Sequence, residues 1–356
     1  MVWEKNKMKI AIDCRMLGSG GIGTYLESLL PFFLEDFDCL LFGNQDLIMT
    51  KISLQEHQIQ VADCRIKPFS LTEMFFFPKE LLERINECDY YYTPYCNIPE
   101  GITIPIFSTI HDVVFLDIPS LTSRAGVLAR KYFYQRGINK SKKIFTVSNF
   151  SALRIKEHLN SHHKKIIVTY NSVPQWFMEK KKKTLKKEHS ILFVGNIKKH
   201  KGLHTLLKAF EILSARDSEL KLVIVGNAEN FRTGDDTIAA SISRFPKDKI
   251  LFTGRISNEE VRDYYEKSQL LIQPSLYEGF GMPPMEALYC GTNVVLSDIP
   301  VFKEIYKDFP VTYFRCEDPN DLAQKIENSL RKESPKITGN VYSFQRTYNI
   351  IKEELN

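Results

Sequence analysis

The chain has 356 residues, 43% of them hydrophobic and 26% charged, an ordinary globular composition with ample core material and a length that suits two domains better than one core. The net charge is a modest +5, and the seven cysteines have no regular spacing and no CxxC pair; this argues against a disulfide framework and for reduced thiols in a cytosolic compartment. No apolar stretch approaches the roughly 18–20 residues of a membrane span, and MVWEKNKMKIAI reads as the approach to a first strand, not as a signal peptide.

In chain order, strand-like runs at Lys9–Ile12, Cys39–Phe42, Ile104–Ile110, Ile144–Val147 and Ile166–Tyr170 alternate with helical stretches such as Arg124–Asn139 and Ala152–Leu159. The first run leads into GSGGIGTY, where Gly18, Gly20 and Gly23 satisfy G-x-G-x-x-G. As a dinucleotide signal this is weak, because Asp13–Leu17 separates strand from glycines and no acidic residue ends the second strand. Two aromatic clusters follow, EMFFFPK at Glu73–Lys79 and DYYYTPY at Asp89–Tyr95. Phe75, Phe76 and Phe77 cannot all face one core from a helix, so the first cluster divides between core packing and contact with a lipid acceptor or membrane. His111 and Asp112 stand at the carboxyl end of a strand, where ligands bind in parallel sheets; a structural histidine and an aspartate capping the next turn are the plainer readings. Ser148, in VSNFS, reads as a helix N-cap.

Glu179–Lys187, EKKKKTLKK, carries six lysines in nine residues. Two readings stand: a solvated linker, or electrostatic contact with an anionic membrane at about 1 kcal/mol per lysine. Nucleic acid is not favoured, since no aromatic residue interleaves the lysines. The run marks the domain boundary, because the alternation restarts with ILFVGN at Ile191, LKLVIVGN at Leu220, KILFTG at Lys249 and QLLIQPS at Gln269. Two strand–helix blocks imply two parallel-sheet α/β domains with the ligand site in the cleft between them.

The most informative stretch is Pro274–Val295, PSLYEGFGMPPMEALYCGTNVV. A short apolar run precedes it and Met285–Tyr289 reads as a helix, so Gly279 and Gly281 fall at a strand-to-helix turn. There the missing Cβ lets backbone N–H groups approach a ligand. Pro283 and Pro284 suit the first helical turn, whose N-terminus favours a phosphate. Glu286, about one turn in, is placed to accept hydrogen bonds from a ribose diol, and Glu278 lies across the turn.

The two glutamates and the glycine turn resemble the E-x7-E signature of the retaining, GT-B-fold glycosyltransferases of family 4, mannosyl- and rhamnosyltransferase-like. The likeness runs from about Met8 to Phe344. It implies two Rossmann-like doubly wound parallel-sheet domains: an acceptor-side domain at residues 1–174, a nucleotide-sugar domain at 175–341, and a terminal helix at 342–356 crossing back to the first. It implies retaining, metal-independent hexosyl transfer from a nucleotide diphosphate sugar to a saccharide or lipid-linked saccharide, in a cytoplasmic setting that extends to the inner face of the plasma membrane. Bacterial surface polysaccharide synthesis is the implied setting. No cofactor is implied, and no DxD triad near a strand end suggests a metal.

Residue by residue, the resemblance assigns Glu286 to ribose, Lys201 and the amides of Gly279, Phe280, Gly281 and Met282 to the diphosphate, and Glu278 and His111 to the region of the sugar. Gly21, Ile22 and Gly23 belong to a GGIGTY-like loop against donor and acceptor, and Arg255 and Ile256 to a base-binding loop. For Arg255 a plain surface charge is an equal reading. Asn196 replaces the arginine that many relatives carry after the first glycine of VGNIKKHKG, leaving Lys198, Lys199 or His200 as partial substitutes. HD-x6-P, closed by Pro119, points to GDP-mannose first, with dTDP-rhamnose or a UDP-sugar next. An epimerase or phosphorylase on the same fold is the rival activity.

Overall fold

The computed structural model describes residues 7–52, 59–179, 185–226, 242–335, 337 and 342–355, so most of the lysine run lies outside the described residues. The chain divides into one unit of residues 1–174 with 342–356 and another of residues 175–341.

The first unit is built on a seven-stranded parallel sheet in the order β3-β2-β1-β4-β5-β6-β7. Its strands are β1 Lys9–Asp13, β2 Asp38–Gly43, β3 Ile59–Asp63, β4 Tyr90–Thr93, β5 Ile106–Thr109, β6 Lys143–Thr146 and β7 Ile166–Val168. Apolar runs without alternation are what a sheet covered on both faces requires, and Ile10, Ala11 and Ile12 are fully buried. The run beginning at Ile104 is shortened to Ile106 because Pro105 has no N–H for the ladder; its carbonyl still accepts from Tyr91 N at 3.0 Å.

DYYYTPY supplies a central strand that apolar patterning does not flag. In β4, Tyr91 and Tyr92 point to opposite faces and both are fully buried, so each hydroxyl needs a partner. Tyr91 donates to Asp13 Oδ2 at 3.3 Å, and Tyr92 lies 2.9 Å from Thr109 Oγ1. GGIGTY is not a loop but the first turn of the helix Gly20–Asp36. At Gly23 a Cβ would sit 2.7 Å from Met16 O, so only glycine lets this helix close onto the turn after β1.

The terminal helix Phe344–Leu355 belongs to this first unit. Phe344, Tyr348, Ile351 and Leu355 are buried in its core, Tyr348 stacks on Phe32 with centroids 5.5 Å apart, and Tyr348 Oη and Lys352 Nζ both reach Asp36.

The second unit holds a six-stranded parallel sheet in the order β10-β9-β8-β11-β12-β13, made of β8 Glu188–Val194, β9 Lys221–Val225, β10 Ile250–Gly254, β11 Ser268–Gln273, β12 Asn293–Ser297 and β13 Thr312–Phe314. Both sheets reverse direction once, between β1 and β4 and between β8 and β11. At such a switch point the loops leaving the two carboxyl ends part and open a crevice.

A chain ending at Ser343 would leave four buried apolar side chains without their place in the core, roughly 6–12 kcal/mol of burial at about 1.5–3 kcal/mol each, comparable with the total stability of a domain. In calorimetry the first unit is expected to lose its cooperative transition while that of residues 175–341 persists.

Candidate functional site

The loops after β8 and β11 meet at the switch point of the second unit, and glycine decides how closely. Gly202 adopts φ +70°, and a Cβ there would lie 1.9 Å from Pro274 O. Leu276 N donates to His200 O at 2.8 Å across the same gap. On the other side of the β8 loop, a Cβ on Gly226 would lie 2.1 Å from Gly195 O. These contacts carry Lys201 to Glu278: its Nζ lies 2.7 Å from both carboxylate oxygens. Ser275 Oγ donates to Oε1 at 2.8 Å, and Gln273 Nε2 reaches the same oxygen at 3.3 Å.

The Glu278 side chain is 9% exposed and that of Lys201 is 20% exposed. Burial pushes the Glu278 carboxyl up, but the Lys201 ammonium and the Ser275 hydroxyl outweigh it and hold the group below its ordinary value. Glu278 is therefore an ionised carboxylate at neutral pH, not a proton donor. Removing one partner of such a pair strands the other charge and costs about 3–5 kcal/mol, so Lys201 also has a structural role.

Gly281, at φ +84°, ends the loop and precedes the helix Met282–Tyr289. Its Cβ would strike the Phe302 ring at 2.5 Å, and Tyr306 Oη donates to its carbonyl. The prolines occupy the first helical turn, so the helix begins at Met282 and not at Met285. Gly279 and Phe280 are buried within the loop. Glu286 is half-buried and accepts from Tyr265 Oη at 2.7 Å; burial pushes its carboxyl up, with the Tyr265 hydroxyl opposing.

The other expected positions of this unit differ in burial. Asn196 is exposed on the β8 loop, as are Lys198 and Lys199. His200 cannot stand in for a missing positive charge. It is 8% exposed, its Nδ1 has no hydrogen-bond partner among the described residues, and burial, then the neighbouring Lys201, push it down to about 4. Arg255 is exposed and Ile256 half-buried in the turn after Gly254, before Ser257 caps the next helix with a capping box to Glu260. Lys187, the last of the lysine run, is tied down by bonds to Ser268 O and Thr292 Oγ1, both at 2.8 Å.

In the first unit His111 follows β5 and joins the motif at Gly21, Ile22 and Gly23 through Tyr25, whose ring meets the imidazole edge-on at 4.8 Å. His111 Nε2 lies 3.0 Å from Pro94 O; a carbonyl only accepts, so Nε2 carries the proton and Nδ1 is the ring's acceptor. Burial pushes this histidine down to about 4 against that bond, leaving it neutral at pH 7. Asp112 Oδ1 caps Val114 N at 3.1 Å and Ser148 caps Ser151 N.

Sequence reasoning missed a buried charge cluster at the switch point between β1 and β4. Arg15 pairs with Asp13 at 2.5 Å and Glu73 at 2.6 Å, and all three side chains are at most 1% exposed. The guanidinium lies over the rings of Phe42, Phe77 and Tyr95. Tyr95 Oη and Asn97 Nδ2 donate to Glu73, as does Phe69 N at 2.8 Å. Burial raises the Glu73 carboxyl, with Arg15 pulling it down. The signal available was Asp13-x-Arg15 at a strand end, which reads as a mere insertion until Glu73 is brought 58 positions back to it.

Residues 174–340 match the family profile described as Glycosyl transferases group 1. The chain is 30% identical over 231 residues to the O-antigen chain mannosyltransferase RfbU of Salmonella typhimurium, covering 64% of this chain and 62% of that protein. It is 24% identical over 260 residues to O-antigen chain mannosyltransferase B of Escherichia coli, covering 69% and 66%. Each alignment thus spans less than two thirds of the relative's length. Among solved structures, Anabaena HepE in complex with UDP and glucose superposes with a TM-score of 0.74 at 16% identity, over 98% of this chain and 99% of that one. This likeness shows the two-domain GT-B fold. Among the described residues no helix is long and apolar enough to cross a membrane.

The low value of His200 fixes a pH dependence. Between about pH 6.5 and 4 the unfolded chain binds a proton at this position that the folded chain does not, so stability is full above 6.5 and falls as pH drops. Urea unfolding of residues 175–341 is expected to lose about 1–2 kcal/mol between pH 7 and 5 from this group, and His200→Gln should flatten that slope.

Proposed function

We propose, from the membership of residues 174–340 in the glycosyl transferases group 1 family, that the chain transfers a hexosyl group from a nucleotide diphosphate sugar to a hydroxyl of a saccharide or lipid-linked saccharide, with retention at the sugar. The observation that carries this reading is the buried Lys201–Glu278 pair at the carboxyl ends of β8 and β11, beside a glycine turn that opens a helix. GDP-mannose is the first donor to test, because the two O-antigen relatives are named mannosyltransferases. Synthesis of a bacterial surface polysaccharide is the corresponding setting.

In this reading the bond from the sugar's C1 to the diphosphate breaks with its electron pair going to the phosphate oxygen, while the acceptor oxygen bonds to C1 and its proton passes to the leaving diphosphate. The charge that develops there needs preorganised positive groups. Lys201 and the amides from Gly279 to Met282 are the candidates, with Glu286 holding the ribose. Glu278 anchors Lys201 through an ionised carboxylate and leaves that ammonium directed into the loop. His111, neutral, serves as a hydrogen-bonding group near the sugar, not as a cation. No protein nucleophile is invoked.

Lys201→Ala is expected to lower kcat/KM by about 10²–10³-fold per folded molecule, and to cost stability as well, since it strands Glu278 in a buried site. Lys201→Ala with Glu278→Gln should recover stability without recovering turnover; near-normal turnover in either variant would remove Lys201 from the site.

A panel of GDP-mannose, dTDP-rhamnose and UDP-sugars, read by thermal stabilisation of residues 175–341 and by donor hydrolysis, tests the donor. GDP-mannose is expected to stabilise most, and EDTA to leave transfer intact, as the lack of a DxD triad near a strand end suggests. Acceptor-independent conversion of the donor, or cleavage that requires phosphate, would instead mark an epimerase or a phosphorylase.

A further inference from the structure

The helix Asn258–Lys267 packs beside the helix that carries Glu286. Tyr265, in its last turn, is fully buried, and a buried phenol hydroxyl needs a partner. That partner is Glu286 Oε2, at 2.7 Å, and among the described residues this is the one hydrogen bond the carboxylate makes. The same hydroxyl opposes the burial that pushes the Glu286 carboxyl up. Tyr265 is itself held from two sides. Thr292 Oγ1 donates to Tyr265 O and accepts from Lys187 Nζ, while Thr292 N donates to Ala287 O at 2.9 Å, so the tyrosine's backbone is tied to the helix of Glu286. Its ring meets Phe177 edge-on, and Phe177 lies under the Arg262 guanidinium.

We propose that Tyr265 is a positioning residue for the donor's ribose: its hydroxyl orients the Glu286 carboxylate to accept from both hydroxyls of a ribose diol, and so sets a preference for ribonucleotides over 2′-deoxyribonucleotides. A carboxylate offers about four lone-pair sites on its two oxygens. Tyr265 takes one of them on Oε2 and leaves the others for two adjacent donors. A glutamate side chain without such a bond spreads over several rotamers, and ordering it would weaken ligand binding. The buried phenol, anchored through ring and backbone, removes that cost beforehand. Packing alone does not require the hydroxyl, since phenylalanine would fill the same space with no polar atom to satisfy. The inference rests on the placement of Glu286 at the ribose in the proposed function, and it names the group that orients Glu286 there.

The test is calorimetric titration of the full chain with two pairs of probes, GDP with 2′-deoxy-GDP and UDP with 2′-deoxy-UDP. The wild type is expected to bind the ribonucleotide of its preferred base about tenfold more tightly than the deoxy form, which lacks one hydrogen bond to a charged group. Tyr265→Phe keeps the ring and its packing. It should narrow that ratio to about threefold and raise the KM for the sugar donor with much less change in kcat. Glu286→Gln should narrow the ratio too, and adding Tyr265→Phe to it should change nothing further, because the tyrosine acts through that carboxylate. A wild-type ratio in Tyr265→Phe would overturn the inference, as would additive effects in the double variant. A Tyr265→Phe chain without a cooperative melting transition would show the hydroxyl to be structural and overturn it as well. Failure of the wild type to bind any of the four probes would instead remove the transfer reaction, and this inference with it.

Discussion

A lysine and a glutamate buried against each other, where two loops cross at a reversal of strand order, set the organisation of the second unit. The pair exists because Gly202 takes a left-handed conformation within 1.9 Å, by its missing Cβ, of Pro274 O; any side chain there would push the β8 and β11 loops apart and separate Lys201 from Glu278. Burying two charges costs several kcal/mol per ion, and mutual attraction does little more than offset that cost. Stability alone is therefore a poor account of the pair. In the proposed function the pair has a second use: an ammonium held by an ionised carboxylate, next to the glycine turn that follows Glu278, would be a partly desolvated cation already in place for an anionic ligand.

The first unit places charge at the equivalent topological point and closes it. Asp13, Arg15 and Glu73 pair with one another between β1 and β4, with Tyr91, Tyr95 and Asn97 bonded to the two carboxylates, while Arg15 Nη1 and Asn97 Oδ1 are buried without a partner among the described residues. There the ion pairs tie elements together across 58 positions of sequence. The neutral His111 and the first turn at Gly21, Ile22 and Gly23 lie beyond this plug, linked through the Tyr25 ring. One unit thus holds a partly exposed ion pair between two loops, and the other ties its elements together with fully buried charges.

Aromatic residues serve both ends of that division. In β4 consecutive tyrosines fill both faces of the sheet because their hydroxyls find Asp13 on one side and Thr109 on the other. In the Glu73–Lys79 segment three consecutive phenylalanines have no such symmetry, and the structure resolves them by burying Phe77 and leaving Phe75 and Phe76 outside. Core packing thus holds for Phe77, while Phe75 and Phe76 stay at the surface.

Much was legible in the chain because short-range chemistry imposed it. Unbroken apolar runs marked nine strands, since a sheet buried on both faces admits little else; the restart at Ile191 marked a second block; the glycines, prolines and glutamates of Pro274–Val295 marked a strand-to-helix turn, as each type suits that backbone. Four strands escaped: Ile59–Asp63 and Thr312–Phe314 lie at sheet edges, Asn293–Ser297 directly follows the glycine turn and its helix, and Tyr90–Thr93 is made of tyrosines and a threonine instead of aliphatic residues. What only the tertiary structure decided were pairings between distant positions: Lys201 with Glu278, Arg15 with Glu73, Tyr25 with His111, and the neutrality of His200 and His111. Those depend on which loops the strand order brings together and on how much water is left between them, and neither quantity is written at any one position of the sequence.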